Sequence, residues 1–285
     1  MFPIKRGKMS VTNQKSGPFY IFLSALLWSL SGIFTKSVAW NGICLAALRG
    51  VIAFIGAGCL LGWRKIQLNR VKVLCAVCYF VQGVLFMCAN KYTTAGNATV
   101  LQNMSPLYII LLNAVINKRP PKKTELLVCA LLFIGVGLAF AGNLGGGAAL
   151  GNILAMLSAL FYAGVYFYSK QDGAEPLESL FIGNALYLLL VPFMITDQTV
   201  LHTSLGDWLF LILFAFLTCF GAWYCFSIGI RKTDALQAGF IALAEPVLAP
   251  VWTFLFLGER ISLLSLAGFV IVITTLLFYD LHKHS

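Results

Sequence analysis

Ten runs of apolar residues, each long enough to cross a lipid bilayer, occupy almost the whole chain. A membrane-spanning helix needs about 20 mostly apolar residues, because each residue adds about 1.5 Å along the helix axis and the hydrocarbon core is about 30 Å thick. Only 11% of the residues are charged, whereas soluble domains carry roughly 25%. The sequence therefore predicts an all-α integral membrane protein with ten transmembrane helices. The predicted spans are 18–37, 42–63, 71–90, 95–116, 125–142, 150–169, 177–196, 207–229, 235–257 and 262–280.

The positions of the basic residues predict which side of the membrane each loop faces. All but four of the 20 lysines and arginines lie in the termini and in alternate loops, which share one side of the membrane. The exceptions are Lys36, Lys91 and Arg260 in the intervening loops and Arg49 within a span. Short cytoplasmic loops are enriched in lysine and arginine. Both termini are therefore predicted to be cytoplasmic, and the net charge of +10 needs no nucleic-acid partner.

The two halves of the chain resemble each other at two places. The stretch "LSALLWSLSGIFTK" at 23–36 aligns with "LSALFYAGVYFYSK" at 157–170, and "TTAGNATVLQNMSP" at 93–106 aligns with "TDALQAGFIALAEP" at 233–246. The two alignments need shifts of 134 and 140 residues. Two matches in order at a nearly constant shift indicate an internal duplication.

A duplication of five spans predicts an inverted repeat, because an odd number of spans makes the second half enter the membrane in the opposite sense. We predict a cytoplasmic tail at 1–17, a five-helix repeat at 18–142 and a second at 150–280. A Gly-rich linker at 143–149 separates the repeats, and a cytoplasmic tail follows at 281–285. Inverted repeats are common in secondary transporters, where one half rocks against the other to give alternating access to a central site.

Glu245 is the first candidate for a functional residue. It is the eleventh residue of the 235–257 run, near the predicted middle of the bilayer. A carboxylate there costs about 2.5–3.5 kcal/mol or more unless it faces water or a partner. It is interpreted as a proton or cation site or as a contact to a substrate amine. The alternative is a structural ion pair or a neutral, hydrogen-bonded acid.

Arg49 is the second candidate and lies at a similar depth. From the rise per residue, its depth differs from that of Glu245 by only about 5 Å. The two side chains would meet if their helices adjoin, and an ion pair would reduce the cost of both charges. Alternatively, Arg49 binds a substrate carboxylate through two hydrogen bonds, or it extends towards the outer interface.

Prolines, amides and aromatic side chains accompany these two charges at mid-span depth. Pro106 and Pro246 are predicted to bend their helices, and Pro246 is predicted to free the Ala242 carbonyl. Amide side chains offer hydrogen bonds to a solute, and Gln237 shares a helical face with Glu245 through two i, i+4 steps. Aromatic rings offer stacking, or pack between helices in the ordinary way. The further candidates for a binding site are Trp28, Gln82, Asn103, Tyr162, Trp223 and Gln237.

Metal and cofactor chemistry has little support in the sequence. The eight cysteines all lie in apolar runs, and the Cys75/Cys78 pair has no second pair or nearby histidine to complete a zinc site. The three histidines lie in a loop or in the C-terminal tail. We therefore expect no cofactor, no metal and no enzymatic activity.

Several of these motifs together resemble the EamA-like family of the drug/metabolite transporter superfamily, in its ten-helix form. They are "SALLWSLSGIFTK" in the first helix, "LAALRG" in the second, "YTTAGNATVLQNMSPLY" in the fourth and "AEPVLAPVWTFLFLGERIS" in the ninth. The resemblance covers nearly the whole chain. It implies movement of small solutes, often export of amino acids or related metabolites, or of amphipathic toxins.

The sequence and this resemblance together predict a secondary transporter of small organic metabolites, an exporter of amino acids or related amphipathic solutes. No nucleotide-binding loop is present in the sequence, so an ion gradient or the solute gradient itself would supply the energy. The alternatives are a flippase for lipids or lipid-linked sugars and a non-transporting membrane subunit. The expected partners are a small-molecule substrate and the lipid bilayer of the plasma (inner) membrane, with the chain a monomer or a homodimer.

Overall fold

The computed structural model describes residues 16–61, 66–116, 118, 120–141, 148–233, 235–242, 244–258 and 262–283. Every secondary-structure element within these ranges is a helix. In chain order the helices are α1 (Ser16–Lys36), α2 (Gly42–Leu61), α3 (Arg70–Tyr92), α4 (Ala95–Ile116), α5 (Lys123–Ala141), α6 (Ala148–Tyr168), α7 (Pro176–Thr196), α8 (Leu205–Lys232), α9 (Ala235–Ile241), α10 (Ala244–Leu257) and α11 (Leu263–Lys283).

Seven of these helices, α1–α4 and α6–α8, are long and apolar enough to cross a membrane. They correspond to seven of the predicted spans. The other three predicted spans coincide with α5, with α9 and α10 together, and with α11. The structure describes these three regions in part. The total of ten spans and the inverted repeat stay predictions. Large apolar side chains such as Leu189, Phe256 and Leu263 are more than 60% exposed, as expected for a surface that faces lipid.

Contacts at the two ends of the bundle show that the spanning helices run alternately up and down. At one end, Lys72 Nζ of α3 lies 2.6 Å from Glu178 Oε2 of α7. At the same end, Lys232 Nζ, at the end of α8, donates a 3.1 Å hydrogen bond to Ser16 Oγ at the start of α1. We call this the basic end. At the opposite end, Trp40 Nε1 donates a hydrogen bond to Thr203.

The most extensive helix packing crosses between the two predicted repeats. It pairs α3 with α6, α5 with α11 and α1 with α8. Each pair takes one helix from 18–142 and one from 150–280. The two predicted halves are therefore interleaved in this conformation. The expectation that one half rocks against the other stays a prediction.

The prolines of α4 and α10 lie where these segments restart after an interruption. Helix α4 is interrupted after Gln102 and resumes at Ser105, so Pro106 is the second residue of the resumed helix. Pro246 is the third residue of α10, which follows the end of α9. Proline is tolerated in a first turn, because the amide it lacks has no helical partner there. The Ala242 carbonyl accepts a 2.9 Å hydrogen bond from the Glu245 amide, so the prediction that it is free is wrong.

Candidate solute-binding site

A cavity of about 320 Å³ lies in the middle of the bundle. Side chains from seven helices, α1–α4, α6, α8 and α10, form its wall. We call it the central cavity. It contains six of the eight predicted binding residues, including both candidate charges. Its lining residues are Trp28, Ser31, Arg49, Gln82, Phe86, Gln102, Tyr162, Thr218, Trp223 and Glu245.

Arg49 contributes a positive charge that is almost wholly inside the protein. Its side chain is 6% exposed, which excludes the interpretation that it extends to the membrane interface. The guanidinium lies against neutral groups, the hydroxyls of Tyr79 and Tyr187 and the thiol of Cys219. Its Nε has no hydrogen-bond partner among the residues that the structure describes. Arg49 is thus a buried cation that retains an unused donor.

Tyr187 of α7 lies beside Arg49 and holds it in position, and two glycines give the Tyr187 side chain room to do so. Its ring packs against Gly50 of α2, and its hydroxyl occupies the space that a Cβ at Gly83 of α3 would need. That hydroxyl donates a 3.1 Å hydrogen bond to the Phe80 carbonyl. Helices α2, α3 and α7 approach closely at this point because the two glycines have no side chains.

Tyr79 supports the guanidinium from α3. Its hydroxyl donates a 3.0 Å hydrogen bond to Asn184 Oδ1, and the Asn184 amide nitrogen donates to the Leu180 carbonyl. A buried tyrosine hydroxyl needs such a partner. The chain from Asn184 to Tyr79 holds the hydroxyl in place beside Arg49.

Glu245 contributes the second charged group. It is the second residue of α10 and is 3% exposed. The partial positive charge of a helix N-terminus favours a carboxylate at this position. The side chain of Asn103, in the interruption of α4, lies against the carboxyl group. Asn103 therefore contacts the cavity residue Glu245 but does not line the cavity itself.

Arg49 and Glu245 face the same cavity but do not form an ion pair. The ion pairs found among the described residues join Lys72 to Glu178 and Arg231 to Glu175. The expectation that Arg49 and Glu245 reduce each other's cost by direct contact is therefore wrong. Two opposite charges remain available on one cavity wall.

Four aromatic rings form a cluster on the side of the cavity that faces the basic end, and three of them, Trp28, Tyr162 and Trp223, line the cavity. Trp223 packs edge-to-face on Trp28 at 4.8 Å and on Tyr79 at 4.6 Å between ring centroids. Trp28 packs in the same way on Tyr162 at 6.0 Å. These rings therefore pack between helices, and the same cluster also offers ring surface on which a solute could stack. The two interpretations given to these aromatics from the sequence are compatible.

Some of the buried polar atoms that lack a partner among the described residues belong to side chains lining this cavity. A buried donor or acceptor without a partner costs about 1–3 kcal/mol, so such atoms indicate where a ligand or water binds. Four of the cavity residues carry one each. They are Ser31 Oγ, Arg49 Nε, Gln82 Oε1 and Trp223 Nε1. The Arg49 and Trp223 nitrogens are donors, the Gln82 oxygen is an acceptor, and the Ser31 hydroxyl can serve as a third donor.

Some predicted residues lie elsewhere, and some cavity residues were not predicted. Gln237 is half-buried in α9 and does not line the cavity. Pro106 and Pro246 are helix-start residues.

Sequence reasoning missed Ser31, Phe86 and Thr218. Thr218 reaches the cavity from a π-helical segment of α8, Ala215–Gly221, and such segments are frequent at functional sites. No cluster of metal-binding side chains occurs in the part of the chain that the structure describes.

The fold and the cavity define a polytopic membrane protein with a charged central site. The model of the EamA-like transporter family matches residues 15–141 and 149–279. The chain therefore belongs to the EamA-like transporter family, and it is a membrane transporter of the multi-pass, plasma-membrane type.

Full-length relatives support this assignment. An uncharacterized transporter of Archaeoglobus fulgidus is 26% identical over 270 residues, covering 92% of this chain and 95% of the relative. The uncharacterized inner membrane transporter YicL of Salmonella typhimurium is 24% identical, with coverage of 94% and 96%. A solved structure, titled only as the crystal structure of a protein, shares the fold with a TM-score of 0.68 at 18% identity, covering 94% of this chain and 97% of that one.

Proposed function

We propose that this protein is a secondary transporter that exports amino acids or closely related amphipathic solutes by alternating access. The observation that carries the proposal is the pair of buried, opposite and unpaired charges on one cavity, Arg49 and Glu245. An α-amino acid carries a carboxylate and an ammonium group in close proximity. A single solute of this kind would satisfy both side chains at once.

The chemistry of binding follows from the geometry of each group. The Arg49 guanidinium, with its unpartnered Nε, would bind the solute carboxylate through charge-assisted hydrogen bonds. Glu245 would accept hydrogen bonds from the ammonium group. Trp28 and Trp223 would cover the apolar part of the solute or interact with the ammonium through their π faces.

The energetics favour movement with the solute bound. Each buried charge is costly without a partner, and the bound zwitterion would supply a partner to both. Protonation of Glu245 would remove one of the charges in the empty carrier, which would couple transport to a proton gradient. Alternatively, the solute gradient alone drives export.

Side-chain contacts join helices at both ends of the bundle in this conformation. The Lys72–Glu178 pair joins α3 to α7 at the basic end, and side-chain bonds from Trp40 and Asn41 join the start of α2 to the α7–α8 connection at the opposite end. Alternating access would break one set of contacts while the other persists. The positive-inside rule assigns the basic end to the cytoplasm.

Flux measurements in proteoliposomes test the proposal. Purified protein is expected to move radiolabelled L-leucine unaided, and Glu245→Gln and Arg49→Ala are each expected to abolish this flux. Arg70→Gln, at an exposed position at the start of α3, is the matched control and should transport normally. If both cavity variants transport like the wild type across pH, these residues have no role in the mechanism. Scrambling of labelled lipid without amino-acid flux would instead favour the flippase.

A further inference from the structure

We propose that a second, uncharged cavity between the central cavity and the basic end binds the side chain of the transported solute, and that the Lys72–Glu178 pair closes it. We call it the antechamber. This inference rests on the proposed function and extends it, because it assigns a preference for solutes with uncharged side chains. The residues that carry the argument are Cys75, Tyr79, Ser169, Ser179, Trp223 and Ser227.

The antechamber is a narrow pocket that shares a wall with the central cavity. Trp223 lines both cavities. Tyr79 lines the antechamber and packs edge-to-face on Trp223, with ring centroids 4.6 Å apart. Within the described part of the chain, the Trp223 indole nitrogen has no hydrogen-bond partner, and the contacts of this ring found there are packing contacts. A rotation of the Trp223 side chain would join the two cavities.

The lining of the antechamber is mainly apolar, with a few hydroxyl and thiol groups, and no ionised side chain is found among the described residues that form it. Cys75 Sγ lies 3.6 Å from Ser169 Oγ, and the Ser227 hydroxyl donates to the Tyr224 carbonyl at 2.8 Å. Ser179 and Cys75 are 2% and 3% exposed. A charged side chain placed here would be buried without a counter-ion, which is costly. The site therefore fits an apolar or neutral polar side chain, while Arg49 and Glu245 hold the zwitterionic group.

The Lys72–Glu178 pair lies at the basic-end side of the antechamber. Cys75 is one helical turn after Lys72 in α3, and Ser179 directly follows Glu178 in α7. The Nζ–Oε2 distance is 2.6 Å, and the two side chains are only 9% and 13% exposed. Lys72 also donates to the Gln67 carbonyl at 3.0 Å. Separation of this pair would open a path from the cytoplasm to Cys75.

The same end of the bundle offers a matched control. Arg231 and Glu175 form an ion pair at 2.9 Å, with side chains that are 56% and 42% exposed. Exposed pairs contribute little, whereas loss of one partner from a desolvated pair leaves an uncompensated charge. Glu175→Gln removes a carboxylate without touching the antechamber, and Glu178→Gln removes the carboxylate that closes it.

Alkylation of Cys75 measures access to the antechamber. The full chain in proteoliposomes is treated with a membrane-impermeant maleimide from the basic end, and modification of Cys75 is quantified by peptide mass spectrometry. We expect Glu178→Gln to raise the rate of modification at least about tenfold, since each 1.4 kcal/mol lost from the closed state is a factor of ten. Glu175→Gln should match the wild type. The charge-swapped variant Lys72→Glu/Glu178→Lys should restore slow labelling, which shows that the single variant was folded.

Added amino acids test the assignment of the ligand. L-leucine should slow the modification of Cys75 in Glu178→Gln, whereas L-lysine should not. Equal labelling of Cys75 in all four proteins would overturn the antechamber, and equal protection by both amino acids would overturn its preference for uncharged side chains. Failure of the proposed function gives a different result. If Glu178→Gln shows fast Cys75 labelling but the wild type shows no amino-acid flux, the antechamber exists and the proposed transport activity is wrong.

Discussion

Arg49 and Glu245 lie on the wall of one buried cavity, and no ion pair joins them. Each side chain is at most 6% exposed. Opposite charges in a low-dielectric interior attract strongly, so their separation has to be maintained by other contacts. For Arg49 those contacts are the hydroxyls of Tyr79 and Tyr187, and for Glu245 the contact is Asn103. The arrangement is suited to a ligand that carries both charges.

The contribution of Arg49 can be measured with a neutral replacement. Arg49→Gln should weaken binding of L-leucine by about 10- to 100-fold, because a hydrogen bond to a charged group contributes about 1.5–3 kcal/mol. Arg49→Lys should recover only part of the affinity, since lysine lacks the planar fork that pairs with a carboxylate. Isothermal titration in detergent measures both. Unchanged affinity in Arg49→Gln would contradict the assigned role.

The position of Arg49 depends on Tyr79. Tyr79→Phe removes the hydroxyl that links the guanidinium to Asn184 but keeps the ring that packs on Trp223. We expect weaker amino-acid binding, by about tenfold, and a lower thermal stability, because the buried Asn184 Oδ1 loses its donor. Tyr224→Phe, at a position that is 37% exposed, is the control. Equal affinities in the two variants would show that the hydroxyl does not position Arg49.

The close approach of α3 and α7 at Gly83 predicts a specific pattern of stability. Gly83→Ala places a methyl group on the Tyr187 hydroxyl and should lower the free energy of unfolding by about 1–3 kcal/mol. Gly137→Ala, where the added methyl group meets no atom within 4 Å, should be neutral or stabilising. Adding Tyr187→Phe to Gly83→Ala should recover part of the loss. Thermal unfolding in detergent compares the four proteins, and equal melting of both alanine variants would refute the packing argument.

Asp197, in the connection after α7, predicts a dependence of stability on pH. Hydrogen bonds from the Thr199 side chain and amide, and from the Asn41 side chain, lower the pKa of the Asp197 carboxyl below its usual value. A lowered folded-state pKa stabilises the fold above the unfolded pKa of about 3.9, and this contribution is lost as pH falls further, through the folded pKa. Asp197→Asn should therefore melt below the wild type at neutral pH, and the difference should shrink below about pH 4. A difference that is constant with pH would contradict this account.

The sequence predicted the spanning helices well, because a run of about 20 apolar residues has few other stable arrangements. It also predicted that Arg49 and Glu245 belong to one site, and both line the central cavity. It did not predict that the two side chains stay apart. That outcome depends on how helices pack sideways, and on Tyr187 lying between Gly50 and Gly83, which a hydropathy pattern does not contain.

Gln237 and Thr218 show a second reason for error. The i, i+4 rule that placed Gln237 beside Glu245 assumes one continuous helix, but α9 ends at Ile241 and α10 begins at Ala244. Thr218 was missed because the π-helical turn of Ala215–Gly221 changes the direction of its side chain from that of a regular helix. Both errors occur at interruptions of regular helix, and both interruptions are next to the central cavity.

The most direct test of the central claim is binding of L-leucine compared with two derivatives that each lack one charge. Leucine amide lacks the carboxylate, and N-acetyl-leucine lacks the ammonium group. The wild type should prefer L-leucine over both, Arg49→Gln should lose its preference over the amide alone, and Glu245→Gln should lose its preference over the N-acetyl derivative alone. If both variants keep the wild-type preferences, Arg49 and Glu245 do not bind the two ends of a zwitterion.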